Sequence, residues 1–139
     1  MAGKKLYFGK EILPDNVLYP VMMATDRIQL ETASAYDRVF MQVEYANRRL
    51  DYSQQLLDEE KESLALSTLM KAEQYLHQAV QEAIDLQVSE SIKERLLKSL
   101  QYHSTQIKKM SPEFTDENRV SLDRLIEENI AISKSLQSK

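Results

Sequence analysis

Glycine is nearly absent from this chain. It occurs twice in 139 residues, at Gly3 and Gly9, so everything from Lys10 onward lacks the residue that tight β-turns and bulges rely on. That distribution predicts an all-α fold. The hydrophobic positions agree. From Tyr36 the apolar seam runs Tyr36, Val39, Val43, Ala46, Leu50, Ser53 and Leu57 in steps of three and four, with Phe40 widening it. A second seam takes Ala65, Leu69, Ala72, Leu76, Ala79, Ala83 and Leu86, broadened by Leu66, Val80 and Ile84. Small residues in both seams favour close helix approach.

The ends of these segments carry stop and start signals. Pro20 suits the first turn of a short helix over VMMATDRIQLE, with a seam at Val21, Ala24, Ile28 and Glu31 and with Leu30 near its exit. Thr32 or Ser34 can cap the long helix that follows; Ser34 has Asp37 three residues on. Asp58 to Glu62 interrupts the pattern and reads as a turn. Ser91 with Glu94 forms a capping box for a third long helix that carries Ile92, Leu96, Leu100, His103, Ile107 and Met110. Ser111-Pro112 ends it, and Thr115-Asp116-Glu117 starts a fourth, with Leu122, Leu125, Ile126, Asn129, Ile130, Ile132 and Leu136 on its stripe and Phe114 stapling its start. The expected architecture is an up-and-down antiparallel bundle of about four long helices, each roughly 30 to 40 Å. A short N-terminal helix and an extended lead-in over Lys4 to Tyr19 precede it. Residues 12–139 are read as a single helical domain, and residues 1–11 as a trimmed or engineered start or a linker.

Chemistry is harder to find. The two histidines, His77 and His103, lack the Glu-x-x-His spacing of bundle metal sites, since Gln74 and Leu100 stand three residues before them. Glu73 and His77 are four apart and read as a solvated helix face rather than an ion site. His103, within an apolar stripe, reads as a hydrogen-bonded seam residue. Tyr36, Tyr45, Tyr52, Tyr75 and Tyr102 fall at seam or flank positions, where a ring packs and its hydroxyl reaches the edge; the alternative for them is a groove for a partner helix. Asp37, Arg38, Glu44, Asn47, Arg48, Arg49 and Asp51 fall on the remaining faces of their helix and are expected to be solvated or paired across turns.

No cysteine is present, and Asp58 to Glu62 lacks the spacing and glycine of a calcium loop. No phosphate-binding, nucleophile-elbow, zinc-protease or dinucleotide motif occurs. With a net charge of −4 and basic residues scattered among acids, nucleic acid is not an expected partner. No run of apolar residues is long enough to span a bilayer. The expectation is therefore no enzyme, no cofactor and a protein partner. The alternative is a small metal-binding or hydrolytic helical enzyme using His77 or His103.

One resemblance adds to this. Pro14, Leu18-Tyr19-Pro20, Ile28 to Leu30 and Ala46-Asn47-Arg48-Arg49-Leu50 resemble, in that order, the pattern of a group of bacterial all-helical domains known only as a domain of unknown function. The stretch Leu96 to Leu136, with His103 in an LxxHxxxIxxM setting, is also similar. The chain departs from the pattern at Val21-Met22-Met23, where a basic residue is usual, and near Glu60, where a glycine is expected. Such domains commonly follow a membrane-spanning segment or signal sequence, and some accompany extracytoplasmic-function sigma factors. The resemblance implies a bacterial, extracytoplasmic, membrane-tethered interaction or sensing domain with no catalytic residue. It also recasts Arg48-Arg49 as a signature pair with a structural task, such as anchoring carboxylates or helix ends.

Overall fold

A computed structural model describes the backbone at residues 6–7, 10–11, 19–32 and 34–138, with side chains at 20–27 and 34–138. The chain is all-α. Helix α1 spans Tyr19–Thr32, α2 Ala35–Asp58, α3 Glu62–Leu86, α4 Glu90–Met110 and α5 Asp116–Gln137. Ahead of them, two-residue strands Leu6–Tyr7 and Lys10–Glu11 pair antiparallel. Much of the predicted lead-in, and the side chains of Ile28, Leu30, Glu31 and Thr32, lie outside the described residues. Among the described residues no helix is long and apolar enough to cross a membrane.

Three short connections set the topology. Ser34 caps α2, its Oγ accepting the Asp37 N–H at 3.2 Å. The acidic stretch after α2 is a turn, as its broken seam predicts, and it closes without glycine. Glu60 takes the left-handed conformation at φ 63°, while Glu60 N–H donates to Leu57 O and Lys61 N–H to Leu56 O. The α3–α4 link repeats the device. Gln87 sits at φ 54°, Val88 N–H donates to Ala83 O at 3.3 Å, and Val88 is buried. Because that turn consumes Gln87 and Val88, the cap of α4 falls on Ser89, whose Oγ accepts the Ile92 N–H at 3.4 Å. The predicted cap, Ser91, lies inside the helix on its exposed side.

Between α4 and α5 a 3-10 turn at Ser111–Glu113 leads to Phe114, which is buried. Thr115 occupies the predicted capping position, but its side chain does not cap its own helix. The Glu62 carboxylate does so from the start of α3. Glu62 Oε2 accepts from Thr115 Oγ1 at 2.8 Å, from Thr115 N–H at 3.2 Å and from the Asn118 amide. The Thr115 hydroxyl and N–H, then the Asn118 amide, hold the Glu62 carboxyl below the usual carboxylate range.

Contacts across the bundle show how the hairpins assemble. Arg38 meets Glu82 and Gln42 meets Gln78, so α2 and α3 are antiparallel. Glu62 at the start of α3 meets Thr115 at the start of α5, and Phe40 meets Arg95, so α3 runs parallel to α5 and α2 to α4. Two antiparallel hairpins, α2–α3 and α4–α5, therefore pack side by side, and α1 lies along α2.

The core is in two halves. One contains Val39, Ala46, Leu76, Ala79, Val80, Leu96, Leu100 and Leu136; the other contains Leu50, Leu56, Leu69, Ile107, Met110, Phe114 and Leu122. The α3 and α4 seams stand as predicted, apart from Leu86 and Ile92, which are half-buried. Three faces differ from expectation. On α1 the buried residues are Met22 and Asp26, while Val21 and Ala24 of the predicted seam are exposed. On α2, Tyr36 and Phe40 are exposed, and a second buried stripe of Gln42, Tyr45, Arg49, Tyr52 and Leu56 runs beside the predicted one. Packing by α1 on one side and by the bundle on the other explains why α2 is buried so widely. On α5, Ile130 is half exposed, because the inward face takes Asn129 instead.

Candidate functional site

Each half of the core is apolar, yet every bundle helix contributes a polar side chain to the layer between them. Asn47 comes from α2, Glu73 from α3, His103 from α4 and Asn129 from α5. Glu73, His103 and Asn129 are at most 1% exposed. His103 Nδ1 lies 2.6 Å from Glu73 Oε2, and its Nε2 lies 2.8 Å from Asn47 Oδ1. The Asn129 amide donates to Glu73 Oε1 at 2.9 Å and to Ser104 Oγ at 3.1 Å. Its Oδ1 lies 2.5 Å from His77 Nε2.

The result is one chain of hydrogen bonds, His77–Asn129–Glu73–His103–Asn47, that crosses the bundle and draws on all four of its helices. Both ring nitrogens of His103 face oxygens, and both Glu73 carboxylate oxygens are engaged, Oε2 by His103 and Oε1 by Asn129. A buried carboxylate without partners is costly; here Glu73 has one on each oxygen.

Both ends of the chain reach the surface. His77 is half-buried and, with Glu73, Gln74, Arg124 and Glu128, lines a groove of about 740 Å³ between α3 and α5. Its Nδ1 is 3.9 Å from Glu128 Oε2. Asn47 lines a second groove, of about 410 Å³, between α2 and α4.

A second polar cluster pins α1. Asp26 Oδ2 accepts from Arg48 Nη2 at 3.1 Å and from Arg49 Nη2 at 3.2 Å, with all three side chains buried. Arg49 also donates to Tyr45 O and touches Met23 Sδ. The guanidinium carbons of Arg48 and Arg49 lie 4.8 Å from the ring centres of Tyr45 and Tyr75 respectively, and the two rings meet edge to face at 5.6 Å. Burial, and then the Asp26 charge, push the Tyr45 hydroxyl up to about 12. The Nε atoms of both arginines are buried without a hydrogen-bond partner.

The predicted residues therefore divide. His103 is the hydrogen-bonded seam residue expected. Glu73 is not on a solvated face with His77: it turns inward to His103, because Leu69, Glu73, Leu76 and Val80 share one buried stripe. Arg48 and Arg49 are likewise not solvated, and they anchor the carboxylate of Asp26. Among the described residues no group of three His, Asp or Glu side chains is placed to hold a metal ion. Asn47, expected to be solvated or paired across turns, is half-buried and meets His103 of another helix; nothing in its spacing marks it, whereas Asn129 stands in the α5 seam as a polar residue in an apolar row.

A family model described as Domain of unknown function (DUF5667) matches residues 11–134. No curated protein and no solved structure matches the chain.

Proposed function

The chain belongs to the DUF5667 family of domains of unknown function, and on that footing we propose that it is a non-enzymatic helical interaction or sensing module, carried on the outer side of a bacterial membrane by a tether. The observation that carries the reading is the polar chain linking the α3/α5 groove at His77 to the α2/α4 groove at Asn47. A chain of side chains, each holding the next, gives a change in one groove a physical route to the other. The extracytoplasmic placement rests on the Pro14 and Leu18-Tyr19-Pro20 resemblance. The absence of catalysis from the reading rests on the inward engagement of His103 and Glu73, which hold each other rather than face a groove together.

The test is an amide spectrum of His77→Ala. The module reading expects resonance shifts that cross the bundle to Asn47 and its α2/α4 neighbours. Shifts confined to within a turn of residue 77 would refute the coupling. For placement, protease added to intact cells that make the native gene product should cleave this domain.

A further inference from the structure

We propose that the α2/α4 face is a homotypic docking surface, on which two copies of this chain associate about a two-fold axis parallel to the helices, α2 of one protomer lying on α4 of its partner.

The face is apolar where it needs to be. Phe40, Val43, Ile92 and Leu96 line its groove. Tyr36 and Phe40 on α2 and Tyr102 on α4 are 51, 42 and 50% exposed. The other large apolar side chains exposed among the described residues, Val21, Met70, Val120 and Ile130, are distributed over α1, α3 and α5. A patch gathered on one face marks a contact surface more than singly scattered residues do.

Charge selects the occupant. The α2 wall carries Asp37 and Glu44, one heptad apart, while the α4 wall carries Arg95 and Lys98. The Arg95 guanidinium carbon lies 5.6 Å from the Phe40 ring centre, which sets residues 40 and 95 at one height. Because α2 and α4 run parallel, Glu44 then stands one turn further along, level with Lys98 and Ser99. A half-turn about an axis between the two helices preserves height and exchanges the walls. It lays Glu44 of one protomer against Lys98 of the other, sets Arg95 over the opposite Phe40, and closes the apolar stripe on itself. A foreign helix would have to bring base on one flank and acid on the other; a second copy already has both. Lys98 can exchange partners easily, since its present ion pair with Glu94 is exposed on both sides.

The footprint, about 18 Å along the axes and about 20 Å across two helices, is smaller than that of a stable dimer, so association is weak, reversible and salt-sensitive.

Sedimentation equilibrium of the whole chain, from about 10 μM to about 1 mM, tests this. A monomer–dimer equilibrium that weakens from about 50 mM to about 500 mM salt is expected. Lys98→Glu and Phe40→Gln, both at exposed positions, should each weaken the dimer at least about tenfold. Combining Glu44→Lys with Lys98→Glu should restore it, with circular dichroism confirming the fold of each variant. A monomer across the range, a dimer indifferent to Lys98→Glu and Phe40→Gln, or a charge swap that fails to rescue would each overturn the proposal.

Discussion

Removing His103 is the sharpest test of the polar layer. In His103→Leu, Glu73 keeps its burial, at 1% exposure, but loses its 2.6 Å partner. Asn129 then remains as its hydrogen-bond donor among the described side chains. Breaking a buried pair by deleting one member costs about 3 to 5 kcal/mol, because the survivor is an uncompensated charge. For a chain of this length that corresponds to a fall in melting temperature of roughly 10 to 20 °C. The double variant His103→Leu with Glu73→Leu removes the orphan charge as well. It leaves only neutral amides, those of Asn47 and Asn129, short of partners, at about 1 to 3 kcal/mol. The double variant should therefore be no less stable than His103→Leu alone, its loss falling well short of the sum of the two single losses in the double-mutant cycle. Urea unfolding of the four proteins gives the answer. A single-variant loss below about 1 kcal/mol, or additive losses, would show that the layer is not the coupled pair described above.

Further outcomes follow from other parts of the fold. Glu60→Gly relieves a left-handed non-glycine residue and should raise stability by about 1 kcal/mol in urea unfolding. Glu62, whose folded pKa is depressed below 4.5, contributes stability that is present above that value and is lost as pH falls through the lower folded pKa; Glu62→Gln should flatten the acid limb of a stability–pH profile. Asp26→Asn leaves Arg48 and Arg49 buried without their shared carboxylate, so α1 amides should exchange hydrogen faster while those of α5 do not. Leu50→Ala, at a buried position in the half of the core that holds Phe114 and Leu122, should cost about 2 to 5 kcal/mol, read as a lowered melting temperature.

Helix number, order and the placing of turns were legible in the sequence because they depend on local chemistry: seam spacing, Ser34 as a cap, Ser111-Pro112 as a stop. Ser89 and Ser91 both fit the local rule for the α4 cap, so the sequence alone does not choose between them. What decides between them is the two residues the left-handed turn at Gln87 consumes. The wide burial of α2 is half legible for a different reason. Periodicity finds the apolar face, but Gln42, Tyr45 and Arg49 look like a polar or mixed face until Gln78 and Tyr75 of α3 meet the first two and Asp26 of α1 meets the third. The polar layer was the least legible part. Glu73, Asn47 and His103 are separated by 26 and 30 positions, and only the antiparallel return of α3 and the parallel approach of α4 bring them together. In hindsight, the polar residues standing in otherwise apolar rows, Glu73 and Asn129, were the available signal.

The layer also fixes where the two hairpins can come to rest against each other. Apolar side chains are interchangeable enough that a bundle of leucines and alanines tolerates sliding by a helical turn. Here such a slip would carry Leu100 or Ile107 to the place His103 occupies and leave the Glu73 carboxylate facing a hydrocarbon. The pair acts as a detent with a single notch: the hairpins have one stop along their common axis, and every groove on the bundle surface inherits its shape from that stop.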